Sequence, residues 1–527
     1  MSLRDKILAA TILSLLWSLP VFFGYLDTPN DDDLSPTFLG WIRSDDFHRY
    51  GSFIDQTQYQ NRILYMDYSA VETQSPRMIA VYFLVLGFVG KLIPLQAQTL
   101  WLLSLWAVSF LFVFVLSHFL SRWASNLRQV FYAMVLILFS GGLEFIVHRT
   151  SFALPRQNNF WMDGFSTFCT FHNPLKIAGI TSVLLIIFFW ASWLEKKRTS
   201  HLIVVIALIL LSWAIHPNSA IPGYIAIVIP VFFASKYLQK PFRWHIPVFR
   251  HAPLIIPFGI ILMYIVWMRT DATTANIINQ YHIPWLVEPF RYYPIRYGLV
   301  LPLGIAGVFG CVRRGGLFDI MIAGWWLGAE MFAHFSNMSG LLFQHMVHLP
   351  MALFAAWTLE KIMSGSTKVK WIVIALIAFN SVFQHGYVIN KVIHQTRQDV
   401  WPTSLYWTQG EIQAARKLRG FPQGNVLVSR NSGNKVAWLA LQPVLLGHWG
   451  TTPSRREKEQ ALKDFFDKET PMLERHEIKN RYAIDYIWYG PDEQQIGDLD
   501  VDLLLDEVIK NSAVTVYRVL HIRGSED

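Results

Sequence analysis

The stretch Ser44-Asp45-Asp46-Phe47-His48-Arg49-Tyr50 sets two adjacent carboxylates beside a histidine, just after the first apolar segment of the chain. A carboxylate in such a place can act as general base for an acceptor hydroxyl or amine, or hold a divalent cation. His48 could tune that carboxylate or bind a phosphate. The polar run around them extends from Asp27 to Arg77 and carries nine carboxylates against four arginines. Composition alone describes such a run as a solvated acidic loop. Asp31-Asp32-Asp33, close to a proline-containing turn, fits that plain description better than Asp45 and Asp46 do.

Further polar groups stand at the edges of apolar runs. Tyr68 to Arg77 ends the acidic loop and holds Glu72 and Arg77, the latter suited to a lipid phosphate or to ordinary interfacial anchoring. The loop 148–175 holds His148, Arg149, Arg156, Asp163 and the sequence Phe171-His172-Asn173-Pro174. His216-Pro217-Asn218 and Gln344-His345-Met346-Val347-His348 have the same character. Polar groups at the ends of spans are expensive to leave in lipid, so each is either a helix-packing group or the lining of a cavity. Three of them on separate helices favour one outward-facing cavity. The aromatic loop Tyr281 to Tyr297, with His282, Arg291 and Arg296, reads as an interfacial belt.

The elements that must position these groups are mostly membrane helices. Of 527 residues, 53% are hydrophobic, 15% aromatic and only 16% charged, and many apolar runs approach twenty residues. That is the signature of a polytopic α-helical membrane protein, because backbone polar groups in lipid must be satisfied within the segment. The expected spans are 7–26, 99–120, 129–147, 176–194, 202–215, 223–237, 253–268, 298–312, 317–335, 341–360 and 371–389. Arg4 and Lys6 before the first run suggest a signal peptide, but no small-residue cleavage site follows Phe22 to Leu26, so it reads as a retained helix. The formal charge of +8 is explained by cationic loops, and without a basic stripe or recognised module nucleic-acid binding is excluded. Cys169 and Cys311 form neither a disulfide framework nor a metal-ligand spacing.

Loop charge decides the topology. If the run 78–94 lies along the surface without crossing, the segments 122–128, 196–198, 236–250, 313–314 and 361–370 share the side of the N-terminus, and all are basic. The alternate loops 148–175, 216–222, 269–297 and 336–340 are poor in net positive charge. The positive-inside rule therefore favours about eleven spans, with 27–98 and the C-terminal part outside. From about Gln395 the composition changes. Asn425 to Ser429, Ala483 to Tyr489 and Thr515 to Val519 read as strands, and Ser454 to Lys468 as an exposed helix. The expected division is a transmembrane module at 1–394, containing the loop 27–98 with its surface helix 78–94, and a small soluble α/β domain at 395–527. No internal repeat is present.

The order of Asp-Asp-x-His after the first span, a loop ending in Glu72-Thr73-Gln74-Ser75-Pro76, an apolar surface helix and a fresh span resembles the GT-C superfamily of integral-membrane glycosyltransferases. The relatives in view are the protein O-mannosyltransferases and the bacterial lipid A aminoarabinose transferase. Gly447 to Thr452 and Tyr486 to Glu493 look like features of bacterial members with a periplasmic tail domain. In that superfamily the first external loop carries the catalytic acid, so the resemblance implies Asp46 or Asp45 as catalytic carboxylate, with His48 and Glu72 beside it. It implies a polyprenyl-phosphate-linked sugar donor, a glycan, lipid or protein acceptor, contact with membrane lipids, and inversion at the anomeric carbon. His48, Glu72, Arg77, Arg149, His172, His216 and His345 are the candidates for the donor phosphate or substrate. The superfamily often works without metal, while its oligosaccharyltransferase branch uses a divalent cation, so Mg or Mn stays open with no ligand set named.

The expected function is therefore glycosyl transfer at the extracytoplasmic face of a bacterial inner membrane. A phosphate leaving group needs little protonation, so one carboxylate base can suffice, unlike the paired carboxylates of glycoside hydrolysis. The competing readings are a lipid or lipid-linked-sugar flippase and a non-catalytic membrane scaffold. Transporters commonly show internal repeats and midplane sites, whereas the polar groups here lie toward span ends.

Overall fold

The computed structural model describes residues 2–26, 34–36, 44–77, 80–140, 173–237, 252–271, 275, 293–335, 344–365, 367–397, 406–448, 450–499 and 504–520. The chain forms two compact units, one made of Met1–Phe23, Leu103–Val266 and His282–Val392, the other of Gly24–Leu102, Trp267–Tyr281 and Ile393–Asp527. In chain order the elements begin with α1 (Leu3–Leu26), β1 (Leu34–Pro36), α2 (Ser44–Gln60) and α3 (Val81–Leu92). An apolar helical series follows: α4 (Ala97–Trp123), α5 (Leu127–Phe139), α6 (Pro174–Lys196), α7 (Thr199–Ile215), α8 (Pro217–Tyr237) and α9 (Ile255–Arg269). It continues through the short α10 (Tyr293–Tyr297) to α11 (Val300–Arg314), α12 (Leu317–Phe335), α13 (Gln344–Met363) and α14 (Thr367–Arg397). The last part alternates: β2 (Tyr406–Thr408), α15 (Gln409–Leu418), β3 (Asn425–Leu427), α16 (Arg430–Leu439), α17 (Arg455–Phe466), α18 (Met472–Arg481), β4 (Ile484–Tyr489), α19 (Pro491–Ile496), β5 (Leu505–Lys510) and β6 (Thr515–Val519).

In its described part each expected apolar run falls on a helix, α1, α4 to α9 and α11 to α14, while 141–147 and 341–343 lie outside the described residues. Three stretches among the described residues, Ala97–Trp123, Pro174–Lys196 and Ala252–Arg269, are by length and hydropathy sufficient to cross a membrane. Local chemistry sets the helix ends. Asn126 accepts from the Gln129 N–H at the start of α5, and Asn173 from the Leu175 N–H at the start of α6, where Pro174 occupies the first turn. Gly315 closes α11 in the left-handed region at φ 73°. Helices of the first unit approach closely through small residues. A Cβ on Gly307 of α11 would stand 2.0 Å from the Phe354 carbonyl oxygen of α13. Where lipid supplies no hydrophobic drive, such backbone contact holds helices together through van der Waals packing.

The run 78–94 yields α3, only 12 residues and so about 18 Å long, short of the roughly 30 Å hydrocarbon core. It packs on α2 through its glycines: a Cβ on Gly87 would meet Thr57 at 2.4 Å, and one on Gly90 would meet Gln58 at 2.7 Å. Its other face leaves Val85, Phe88 and Leu92 exposed.

The second unit groups the first loop with the C-terminal segment, a grouping that a cut between 394 and 395 does not make. β1 pairs antiparallel with β2. A four-stranded sheet has the order β3-β4-β6-β5, with β3 parallel to β4 and the other neighbours antiparallel. Leu427, Ile484, Ile487 and Val519 of the sheet pack with Leu462, Phe465 and Phe466 of α17. β3, β4, β6 and α17 lie where sequence periodicity places them, while α15, α16, α18 and β5 are additions that it did not mark.

Candidate functional site

The site is built on α2. Its alternation of aromatic and small polar residues serves two faces. One face carries Phe47 and Tyr50, whose rings lie 5.3 Å and 5.7 Å from Trp101, and Phe53, 5.5 Å from Phe83. The other meets α16: Gly51 lacks the Cβ that would stand 2.5 Å from the Trp438 ring, and Ser52 donates to the Ala437 carbonyl at 3.2 Å. His48, buried, stacks obliquely on Trp438 with centroids 5.8 Å apart. It packs into the α2–α16 contact and is not presented to solvent.

Asp46 sits in the first turn of α2, where the helix N-terminus favours a negative charge. Its Oδ1 lies 2.6 Å from His448 Nε2; the Asp46 side chain is 21% exposed and His448 is 0% exposed. Asp45 lies on the same turn of α2; its side chain is not among the described ones. The loop behind Asp46 is stapled from several directions. Arg49 places its guanidinium 2.8 Å from Asp67 Oδ2, and Asp67 Oδ1 accepts from the Ser69 N–H. The Gln74 side chain donates to the Asp67 carbonyl and accepts from its N–H. Thr452 donates to the Ser69 carbonyl at 2.9 Å, which ties the turn 447–452 to that loop.

Glu72 pairs with Lys458 of α17 at 2.6 Å, and the lysine is almost wholly buried. Burial pushes the Lys458 ammonium below its ordinary range, opposed by the Glu72 charge. Two groups from opposite ends of the sequence thus hold the loop to α17, and Glu72 is engaged by a cation of its own protein. Arg77 is 8% exposed. Its backbone bridges Tyr65, its NH2 donates to Thr270 Oγ1 at 3.1 Å, and its guanidinium lies 4.7 Å over the Trp267 ring. Among the described residues no carboxylate is within ion-pair distance of Arg77, and its Nε is buried with no hydrogen-bond partner there. A buried cation so placed is suited to an anion.

At the other end of α2, Asp55 is buried and accepts from Arg419 at 3.2 Å. Burial raises its carboxyl to about 6, opposed by the Arg419 and Arg416 charges. A cavity of 320 Å³ adjoins it, lined by Tyr59, Gln96, Arg416, Arg419 and Trp438 among others.

The remaining candidates lie in the first unit or outside the described residues. His216 follows α7 and its Nδ1 lies 2.8 Å from Ser219 Oγ; Lys176, buried near the start of α6, is close enough to act on it electrostatically. His345 is on α13 with its side chain not described, while His348 on the same helix stacks on Tyr297 at 6.3 Å. Arg149 and His172 fall outside the described residues, so a single cavity joining 172, 216 and 345 lies outside them too. Asn173, read from sequence as cavity lining or packing, is an N-cap. Three residues were not among the sequence candidates: His448, Lys458 and Lys176. His448 stands between glycine-containing turns in a run already notable for its likeness to tail-domain members, and that was the available signal. Lys458 was hidden in a helix whose charges read as solvated.

Among the described residues no group of three or more His, Cys, Asp or Glu side chains is placed to hold a metal ion. Asp46 and His448 are the two ligand-type side chains brought together there, and they hydrogen-bond to each other.

No protein-family model matches the sequence, and a search of curated proteins finds no match. Solved structures do match. ArnT from Cupriavidus metallidurans bound to undecaprenyl phosphate aligns over 98% of this chain and 98% of its own, with TM-score 0.51 and 11% identity. The apo state of the same protein aligns over 96% and 97%, with TM-score 0.50 and 10% identity. The apo oligosaccharyltransferase of Archaeoglobus fulgidus aligns over 93% of this chain and 69% of its own, with TM-score 0.51 and 10% identity. ArnT and the oligosaccharyltransferase are GT-C proteins. The chain shares their fold, that of a helical membrane protein.

Proposed function

We propose that this chain is a membrane glycosyltransferase that moves a sugar from a polyprenyl-phosphate carrier to an acceptor at the extracytoplasmic face of a bacterial inner membrane. The observation that carries the reading is Asp46, a partly exposed carboxylate at a helix N-terminus, held by a buried imidazole in the first loop of a GT-C fold. Asp46 removes the proton of an acceptor hydroxyl or amine. The acceptor atom forms its bond to the anomeric carbon as the bond from that carbon to the phosphate oxygen breaks, and polyprenyl phosphate departs with the bonding pair. Displacement in line inverts the anomeric centre. Asp45 is the alternative base.

Arg77 is the leading candidate in the second unit for the phosphate, because it is a buried guanidinium with only a threonine hydroxyl and an indole face as partners among the described residues. In the first unit the buried Lys176 supplies a cation beside His216; His345, Arg149 and His172 stay as further candidates. ArnT, solved with undecaprenyl phosphate bound, supports a lipid-phosphate ligand for this fold. Loop charge supports an arrangement of about eleven spans with 27–98 and 395–527 outside, which would put Asp46 on the extracytoplasmic side.

The test is donor turnover in proteoliposomes: release of polyprenyl phosphate from radiolabelled polyprenyl-phosphate-linked sugars drawn from bacterial membranes. The native chain should release the carrier and label an acceptor, whereas Asp46→Asn should not. If Asp46→Asn and Asp45→Asn both retain full transfer while folding normally, the base assignment is wrong. Movement of labelled lipid across the bilayer with its sugar still attached would instead identify a flippase.

A further inference from the structure

We infer that His448 is a positioning residue for Asp46, working as a neutral imidazole with its proton on Nε2; the inference rests on Asp46 being the base proposed above. The Gly450 backbone N–H donates to His448 Nδ1 at 3.2 Å. A backbone amide can only donate, so Nδ1 presents its lone pair there and bears no proton. The proton of the neutral ring is therefore on Nε2, and Nε2 faces Asp46 Oδ1 at 2.6 Å. The imidazole donates and the carboxylate accepts.

The turn that carries the ring is locked. The His448 carbonyl accepts from the Thr451 and Thr452 N–H groups at 3.1 and 3.0 Å. The Gly447 N–H donates to Thr452 Oγ1, and that hydroxyl donates onward to the Ser69 carbonyl. Gly447 itself lies against the loop: a Cβ there would stand 2.7 Å from the Ser69 Cα. The ring is thus fixed to the same loop that Arg49, Asp67 and Gln74 brace, and it is fully buried. A buried, pre-set donor of this kind holds a carboxylate in one orientation without reorganising at the moment of reaction.

The choice of a neutral donor has a chemical consequence. A cation beside Asp46 would favour its ionised form and weaken it as a base. A neutral N–H fixes the carboxylate geometry while depressing its basicity less. His448 takes no proton and touches no reacting atom in this scheme. Its contribution is the direction in which Asp46 faces, and it means that the C-terminal segment supplies part of the catalytic apparatus.

Substitution and spectroscopy test this together in the full-length protein. Gln can set an amide N–H where Nε2 stood, whereas Asn is too short and Ala has no donor. His448→Ala and His448→Asn should lower donor turnover by about 10–100-fold, the loss expected for one hydrogen bond to a charged group. His448→Gln should stay within about threefold of the native chain. If Gln is as impaired as Ala although both melt at the native temperature, positioning by Nε2–H is wrong. The second arm needs no substrate: ¹⁵N-histidine NMR of the native chain in micelles, with the His448 signals identified by their loss in His448→Gln. A neutral ring protonated on Nε2 at pH 7 is expected; protonation on Nδ1, or on both nitrogens, overturns the inference. If the native chain shows no transfer, the proposed function falls and the spectrum still decides the tautomer.

Discussion

Asp46 and Asp55 lie on the same helix, α2, and both side chains meet residues of the C-terminal segment. Asp46 is 21% exposed and accepts from a histidine, while Asp55 is 6% exposed and accepts from Arg419. At Asp55 the surroundings close over the carboxylate, and burial raises it to about 6 even with two arginines near. At Asp46 the helix N-terminus and a buried imidazole hold a carboxylate that still reaches solvent. Residue type alone does not distinguish a carboxylate that reaches solvent from one that is closed off. The partner and the depth of burial do, and both are set by residues some 400 positions away: 402 separate Asp46 from His448 and 364 separate Asp55 from Arg419.

Neutralising each carboxylate separates the two most strongly. Asp46→Asn should cut transfer by about 10²–10⁴-fold, the range for loss of a general base, and leave the melting temperature close to native. Asp55→Asn should do the reverse, leaving turnover within a few-fold while changing stability. If Asp55→Asn abolished transfer in a folded protein, the two ends of α2 would not differ as described.

Removing the cation from the closed end comes next. Arg419→Ala leaves a buried carboxyl without its guanidinium and should cost about 3 kcal/mol in chemical unfolding at pH 7. The cost should shrink toward pH 5, where Asp55 is protonated in the folded state. Gly447→Ala is expected to be smaller, about 1–3 kcal/mol, because its Cβ must displace the Ser69 backbone. Since the displaced turn carries His448, transfer should fall along with stability.

The pH dependence of stability is the finest of these effects. Asp55 is raised from 3.8 to about 6, and Glu493, buried between the Ser429 and Gly490 N–H groups, from 4.5 to about 7. Between the unfolded and folded values the unfolded chain has lost the proton that the folded chain keeps. Stability is therefore full below the unfolded values and lost as pH rises through about 6 and about 7. Unfolding curves from pH 4 to 8 should slope downward, and Asp55→Asn with Glu493→Gln should flatten them. A rising curve would contradict the burial argument.

Much of the molecule can be read from composition and periodicity. An apolar run near twenty residues has to be helical in lipid, so the runs from 7–26 to 371–389 locate their helices, though ends such as Phe139 and Arg397 fall eight residues from the expected ones. The short run at 78–94 becomes a 12-residue helix too short to span. Buried strands such as Ile484–Tyr489 are legible because continuous β-branched and aromatic residues have few other uses. Other elements resist reading. α16 contains Arg430, Asn431, Ser432, Gly433 and Asn434, a poor helix by propensity; Gly433 is there because a Cβ would stand 1.8 Å from the Leu446 carbonyl oxygen. β5 carries Asp506, Glu507 and Lys510 on an edge, where charge hides a strand.

Composition and the spacing of apolar runs suffice for a helical membrane protein with Asp45-Asp46 in an acidic stretch beyond the first apolar segment. Tertiary structure alone decided which groups meet that loop. Asp46 with His448, Glu72 with Lys458 and Asp55 with Arg419 are pairings across most of the chain, and nothing local encodes them. Periodicity reports which face of an element is buried. It carries no information on the partner that covers it, because that partner is selected by the path of the whole chain.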